Sequence, residues 1–366
     1  MSIQVPTTTA EAVAFEEAEL AELVEGRRRI SPTVAYVARR FGLYLITLWG
    51  SISASFFFFR LIPGDPISAM IAEFESRGQY TAQDESQQLV EFYEKAFGLD
   101  GSLFQQYVRY LERVVLYQDF GPSVLSYPSP ASDLVLRALP WTLGLIGTAT
   151  LLGWVIGIVA GSFVGWARTS RVANWITNLS LVISHVPAYF VALFLVVMLA
   201  YRAPIFPANG AYDASLSPGW SLDFIWSVIK HGTLPVLATM IVAVANWLIG
   251  TRALVVNILG EDYLTYAGAK GLSPWRILTR YVMRNAWLPQ IAALGIVMGS
   301  VINGNVLIER LFRYPGLGNL LVDAISIKDV NTAQAIVGLL IFLVLTLNLL
   351  IDLALPLIDP RVKFQR

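Results

Sequence analysis

Leu139 to Trp166 reads LPWTLGLIGTATLLGWVIGIVAGSFVGW, twenty-eight residues without an aspartate, glutamate, lysine or arginine. About 20 apolar residues in a helix cross a hydrocarbon core about 30 Å thick, so the stretch has length to spare. Within it Gly153, Gly157 and Gly161, with Gly165, recur every four residues. They therefore share one stripe, along which a neighbouring backbone can approach closely. Working outward, five more stretches lack charge over a comparable length: Phe41 to Phe59, Trp175 to Tyr201, Gly232 to Thr251, Asn285 to Ile308 and Val330 to Ile351. Strands of a barrel would be shorter and would alternate in polarity. The pattern predicts an all-α polytopic membrane protein with six transmembrane helices.

The rest of the composition agrees. Of 366 residues, 55% are hydrophobic and 14% charged, against roughly 25% charged in an average soluble domain. Twenty-six basic and twenty-six acidic residues cancel, so no global field points to nucleic acid. The absence of cysteine excludes disulfides, thiolate metal sites and a cysteine nucleophile, and His185 and His231 are too few for a multi-histidine zinc site. The chain contains no phosphate-binding G-x-x-x-x-G-K-[ST] loop, no H-E-x-x-H and no G-x-S-x-G. It is therefore expected to be no enzyme and to hold no cofactor or metal. Proton coupling is disfavoured as well, because the central parts of the six stretches carry no Asp, Glu, Lys or Arg, and their one histidine is His185, beside Pro187. Asp352, Arg60 and Glu309 lie only near their ends. The amides Asn246, Asn303, Asn305 and Asn348 are candidates to line a path or pair between helices, and Gly295 and Gly299 repeat the packing spacing in the fifth stretch.

Counting basic residues in the short flanks sets the orientation. With the amino terminus inside, fifteen basic residues lie on the inner side, and only Arg202, Lys230, Arg310, Arg313 and Lys328 lie in the short outer loops. Both termini are thus expected in the cytoplasm. The expected organisation is an amino-terminal extension over residues 1–38, a first span over 39–62, an extracytoplasmic helical loop domain over 63–137, a core over 138–357 and a tail over 358–366. The first apolar stretch follows about forty residues beginning with an acidic segment, which fits an uncleaved signal anchor better than a secretory signal. In the extension, Glu11 to Glu25 reads either as a short amphipathic helix or as a frayed tail. The first outer loop, Leu61 to Arg137, carries eleven acidic and five basic residues, and Gln87 to Phe97 and Leu103 to Tyr117 show helical spacing. Arg202 to His231, rich in Pro, Gly and Ser, reads as a loop with one short helix near Leu222 to Ile229.

The loop between the fourth and fifth stretches, GEDYLTYAGAKGLSPWRILTRYVMRNAWLP from Gly260 to Pro289, is heavily punctuated. Glu261 and Asp262 stand where carboxylates cap a helix amino end. Tyr263 to Lys270 then forms about two turns, closed by Gly271 as a left-handed carboxyl cap. Ser273 and Pro274 restart a helix as cap and first-turn residue. Arg276, Arg280 and Arg284 follow as a basic stripe. The result is a short helix, an elbow and a second helix leading into the next span. Such a short inward projection is a mechanical handle for a cytoplasmic partner.

Five stretches in order resemble the inner-membrane permease subunits of binding-protein-dependent ATP-binding-cassette importers, in the dipeptide, oligopeptide and nickel branch. They are Arg60-Leu61-Ile62-Pro63-Gly64-Asp65-Pro66; Gly260-Glu261-Asp262-Tyr263 with Ala269-Lys270-Gly271-Leu272-Ser273; Arg284-Asn285-Ala286 with Pro289; Tyr314-Pro315-Gly316-Leu317-Gly318; and Asp359-Pro360-Arg361. The long loop after the first span is similar to that of the first of the two paired permeases. The sequence departs from the general Glu-Ala-Ala-x-x-x-Gly motif, since Thr265, Tyr266 and Ala267 precede Gly271.

The resemblance implies the type I importer permease fold in the cytoplasmic membrane. It also implies a heterodimer with a second homologous permease, an extracytoplasmic substrate-binding protein, and two cytoplasmic ATP-binding subunits that hold ATP and Mg. The coupling helix would lie at about 262–273, with Glu261, Asp262, Tyr263, Thr265, Ala267, Ala269, Lys270, Gly271, Leu272, Ser273 and Arg276 as its contact residues. Small peptides are the expected substrates; oligosaccharides or nickel fit the same architecture. A stand-alone channel or secondary transporter is the reading from another class, and it would have to couple without charges at mid-membrane.

Overall fold

A computed structural model describes residues 32–61, 92, 95–301 and 305–358. The amino-terminal extension through residue 31, most of Gln87 to Phe97, the Pro63 to Pro66 motif, Asn303 and the Asp359-Pro360-Arg361 motif lie outside them. Among the described residues the chain is helical, without a strand. The helices are α1 (Pro32–Leu61), α2 (Leu103–Glu112), α3 (Ala131–Trp166), α4 (Arg171–Ser184), α5 (Ala188–Val196), α6 (Leu222–Ile258), α7 (Asp262–Ala269), α8 (Pro274–Ile277), α9 (Met283–Val301), α10 (Val306–Leu311), α11 (Leu317–Ser326) and α12 (Val330–Ile358). The chain divides into two compact units, Met1–Thr47 with Leu349–Arg366, and Leu48–Asn348.

In the smaller unit the Tyr36 hydroxyl donates to the Asp352 carbonyl at 3.0 Å, and Arg40 pairs with the Asp352 carboxylate at 2.9 Å. A carboxylate close to a membrane helix end thus has its cation on the neighbouring segment.

The larger unit is built around α3 and α6. An added Cβ on Gly157 would lie 2.9 Å from the Val244 carbonyl oxygen, and one on Gly161 would lie 2.6 Å from the Leu248 carbonyl oxygen. Gly153 and Gly165 meet Ala243 and Val255 in the same way. All four glycines lie along the seam with α6, so side-chain loss is what lets two long apolar helices touch over much of their length. Two indoles add polar ties from α3 and α9: Trp287 Nε1 donates to Ser162 Oγ at 3.0 Å, and Trp154 Nε1 donates to the Gln290 carbonyl at 3.3 Å.

Among the described residues, four helices are long and apolar enough to cross a membrane: Val34–Leu61, Ala131–Trp166, Leu222–Ile258 and Val330–Leu353. A bent pair, Arg171–Ser184 with Ala188–Arg202, makes five if counted as one span. The third apolar stretch is therefore not one straight helix, because it turns by 96° between Ser184 and Ala188. Pro187 has no N–H to give, and it drives Val186 out of the helical region, so the ladder ends there. His185 sits at the bend with Nδ1 2.7 Å from the Leu181 carbonyl oxygen.

The short helix expected at Leu222–Ile229 also differs, since it runs unbroken through Gly232 and Pro235 as the start of α6. Ser221 caps it by accepting from the Phe224 N–H at 3.3 Å. The fifth stretch gives α9, nineteen residues with Pro289 inside.

The expected helix at Leu103–Tyr117 is present as α2 followed by a π-helical turn, Arg113–Tyr117. Ser102 and Gln105 form a reciprocal capping box at its start. Arg109 donates to Asp100 at 2.6 Å and holds that carboxyl below its ordinary range. The helix packs on the last turns of α1, with Phe56 buried against Tyr107 and Tyr110.

Candidate functional site

The elbow between α6 and α9 is where local sequence signals are densest. Glu261 is the N-cap of α7 and makes no side-chain hydrogen bond to the helix, while Asp262 opens the first turn. The carboxylates therefore act on the helix end through its dipole rather than as hydrogen-bonding caps. At the other end Lys270 is the C-cap, and Gly271 adopts φ +72°, the left-handed conformation that glycine accepts without a Cβ clash. An added Cβ at Gly271 would meet nothing within 4 Å, so backbone conformation alone selects glycine there. The Leu272 N–H returns to the Ala267 carbonyl at 3.3 Å and closes the turn. Ser273 then accepts from the Arg276 N–H at 3.4 Å with Pro274 in the first helical turn, so α8 starts as the sequence predicts.

The docking of α7 is narrow. Only Leu264 and Ala267 are buried, one helical turn apart, in a cluster with Val255, Ile277, Leu278 and Val282. Leu272 packs partly against the same cluster. Tyr263 is tied by its hydroxyl, which accepts from Asn285 Nδ2 at 2.9 Å. Glu261, Asp262, Thr265, Tyr266, Ala269, Lys270, Gly271, Ser273 and Arg276 stay exposed. Among the residues assigned to contact a partner, Ala267 is thus turned inward as an anchor, together with Leu264. The exposed residues above form a free surface: a helix resting on two apolar side chains, with a polar and small-residue top. The π-helical turn Leu278–Val282 follows, and Arg276, Arg280 and Arg284 are all exposed despite the interruption.

The amide and glycine candidates separate. Gly153, Gly157 and Gly161 lie in the α3–α6 seam. Gly295 meets nothing within 4 Å, so its spacing does not mark a close approach within this chain. Asn246 is exposed and turns its amide back to the Val242 carbonyl of its own helix at 3.0 Å. Asn305 is the cap of α10, its side-chain oxygen accepting from the Ile308 N–H at 3.4 Å. Asn303 lies outside the described residues.

Two carboxylates that the sequence left without a role are fully buried. Glu309, on α10, accepts from Thr142 Oγ1 at 2.8 Å and from the Gly318 and Asn319 N–H groups at 2.7 and 3.1 Å. Thr142 in turn accepts from the Leu317 N–H at 2.7 Å. The carboxylate therefore sits on the amino end of α11 and uses donors that a helix start leaves unpaired. A Cβ on Gly316 would collide with it, and one on Gly318 would lie 2.8 Å from Val306 Cα. The Tyr314–Gly318 motif is thus a carboxylate seat.

Asp329 does the same for α12. Its carboxylate accepts from the Thr332 N–H at 3.0 Å, from Ser123 Oγ at 2.6 Å and from the Val124 and Leu125 N–H groups at 2.8 and 3.1 Å. It fixes the segment before α3 to the start of α12. The glycines flanking Leu317 were the only local signal for either site.

Apolar helices of membrane-crossing length around a small-residue seam, with a separately capped short helix docked between two of them, are the architecture of a polytopic helical membrane protein. The chain belongs to the family described as binding-protein-dependent transport system inner membrane component, whose family model matches residues 157–364. It is 31% identical over 348 residues to the di/tripeptide transport system permease protein DppB of Pseudomonas aeruginosa, covering 91% of this chain and 100% of that protein. It is 30% identical over 330 residues to the oligopeptide transport system permease protein AppB of Bacillus subtilis, covering 90% and 99%. The dipeptide transport system permease protein DppB of Escherichia coli is 29% identical over 347 residues, covering 90% and 99%. The chain is an inner-membrane permease of binding-protein-dependent ABC transport.

Proposed function

We propose that this chain forms half of a translocation pore for small peptides and is driven by cytoplasmic ATPases through α7. The observation that carries the coupling role is the docking of α7: two buried anchors beneath an exposed top, with a left-handed glycine elbow at its end. A helix held this way can pass a push to α6 and α9 while presenting Thr265, Tyr266, Ala269 and Lys270 to a partner. The relatives' names support peptides as the substrate class.

In this reading the full pore has six spans from this chain and a matching set from a second, homologous permease. The segments through residue 38 and from 358 lie in the cytoplasm, and the region 63–137 faces the substrate-binding protein outside. The sequence offers no nucleotide-binding loop or catalytic constellation, so this chain is a pore subunit without enzymatic activity or cofactor, and two partner subunits bind ATP and Mg. Because a ligand shifts a conformational equilibrium only by its differential affinity for the two states, the energy difference between pore states comes from those ATPases.

Replacing Gly271 with valine tests the coupling role. A β-branched residue at φ +72° costs about 1–2 kcal/mol and distorts the elbow. In the purified assembled complex, substrate-stimulated ATP hydrolysis and peptide transport should both fall. If both stay normal, α7 is not the coupling element.

A further inference from the structure

Helix α2 and the π-helical turn after it have three sides, and two of them are used inside the protein. One rests on the end of α1, where the Tyr107 ring stacks on Phe57 with centroids 5.3 Å apart and its hydroxyl lies 2.7 Å from Ser53 Oγ. The polar side is paired locally: Arg109 with Asp100 at 2.6 Å, Arg113 with Asp119 at 3.3 Å, and the Gln106 amide donating to the Leu99 carbonyl at 2.6 Å. The third side faces outward. It carries Phe104, Val108, Leu111 and Val115, whose spacing of four, three and four places them on one stripe. Phe104 is 73% exposed and Val115 66%, with Val108 exposed between them.

Apolar side chains scattered singly on a surface need no explanation, but a continuous stripe marks an interaction site. The position of α2 says what covers it. Ser53 stands seven residues before Arg60, the cation that ends the first apolar stretch, a distance of about 10 Å along the helix axis. The Tyr107 hydroxyl therefore reaches well inside the charged end of a membrane-crossing helix. An amphipathic helix lying on a bilayer buries its apolar face to a similar depth, roughly 5–10 Å into the boundary between headgroups and acyl chains. Phe57, stacked on Tyr107, is itself exposed, and its neighbour Phe58 is 64% exposed. The stripe thus continues the apolar surface that α1 turns away from the protein. Its edge, Gln105 and Glu112, is polar and exposed, as the water-facing side of such a helix must be. The helix start suits the same place, because Ser102 and Gln105 satisfy one another's backbone N–H groups where water is scarce.

We propose that α2 lies in the membrane–water interface at the Arg60 end of α1, with Phe104, Val108, Leu111 and Val115 seated among lipid acyl chains. The helix anchors the segment after the first span to the bilayer surface, and it does so whatever solute the permease carries.

The chain has no cysteine, so single cysteines can be introduced and spin-labelled without background. Phe104→Cys, Val108→Cys and Val115→Cys report on the stripe, Gln105→Cys and Glu112→Cys on its polar edge, and Phe58→Cys on the surface of α1. Each labelled full-length chain is placed in lipid nanodiscs, alone and with its partner subunits. Its collision rates are then measured with oxygen, which concentrates among acyl chains, and with a water-soluble nickel chelate. The ratio of oxygen to chelate collisions should be several-fold higher at the three stripe sites than at the two edge sites, and high at Phe58 as well. If one stripe variant does not fold, the other two carry the test. Chelate-rich collisions at the stripe beside an oxygen-rich Phe58 label put α2 in water and overturn the proposal while leaving α1 in the membrane. Chelate-rich collisions at every site overturn both placements. Low rates with both reagents at the stripe mean that protein covers it, from this chain or from a partner, and they overturn the proposal too.

Discussion

The carboxylates at the starts of α7, α11 and α12 are used in opposite ways. At α11 and α12 the acids are buried: Glu309 and Asp329 accept from backbone N–H groups and hydroxyls brought from distant parts of the chain. At α7 the acids are exposed, and Glu261 makes no hydrogen bond to the helix it begins. The first arrangement locks elements together, because a buried charge stripped of its partners is costly. The second leaves the helix held by apolar contact, which tolerates small displacement without orphaning a charge. An element meant to transmit motion is better served by Leu264 and Ala267 as anchors than by a carboxylate seat.

The contrast can be broken most directly at its rigid end. Asp329→Ala removes the acceptor of two backbone N–H groups of the segment before α3 and of the Ser123 hydroxyl. It should lower the stability of the purified chain by about 1–3 kcal/mol for each buried donor it leaves unpaired, read as a fall in the unfolding midpoint in detergent. A midpoint within a degree or two of wild type would show that this seat is not a structural lock.

Next in size is the α3–α6 seam, where rigidity comes from contact rather than charge. Gly161→Leu drives a side chain into the Leu248 carbonyl and should cost about 1–3 kcal/mol by overpacking, whereas Gly295→Leu, in open space, should leave the midpoint unchanged. Equal effects at the two sites would contradict the assignment of the seam.

Leu264→Ala, in the lightly docked α7, should cost about 2 kcal/mol of local stability. Its clearest sign should be functional: ATP hydrolysis in the assembled complex continues while peptide transport drops. Smallest of all is Glu261→Gln, which removes only an exposed charge from a helix end and should change stability by less than about 1 kcal/mol. A loss as large as that of Asp329→Ala would erase the distinction between the two kinds of helix start.

Much of this architecture is legible along the chain because its causes are local. Uncharged length marks the spans, a spacing of four marks the glycine stripe, and Gly271, Ser273 and Pro274 mark the elbow by their own backbone preferences. The same locality explains the misreadings. Trp175 to Tyr201 is uncharged throughout, so hydropathy joins what Pro187 divides, and the 96° bend appears only in the structure. The loop composition of Arg202 to His231 hides the start of α6, because Leu222 to Ile229 continues without a break through Gly232 and Pro235 into the fourth apolar stretch. Gly295 shares the spacing of Gly161 without its contact, because spacing orients a face but supplies no neighbour.

The sequence by itself therefore determined the class of fold, the number of long apolar stretches, the seam on α3 and the punctuated elbow of α7, all of which follow from periodicity, composition and single-residue conformational preference. Only the tertiary structure decided that Ala267 turns inward and that Glu309 and Asp329 seat the starts of α11 and α12. Those facts depend on which segments meet. Thr142 lies 167 residues from Glu309, and Ser123 lies 206 from Asp329. Pairings at such separations are chosen by the packing of whole helices, not by the residues beside them in the chain.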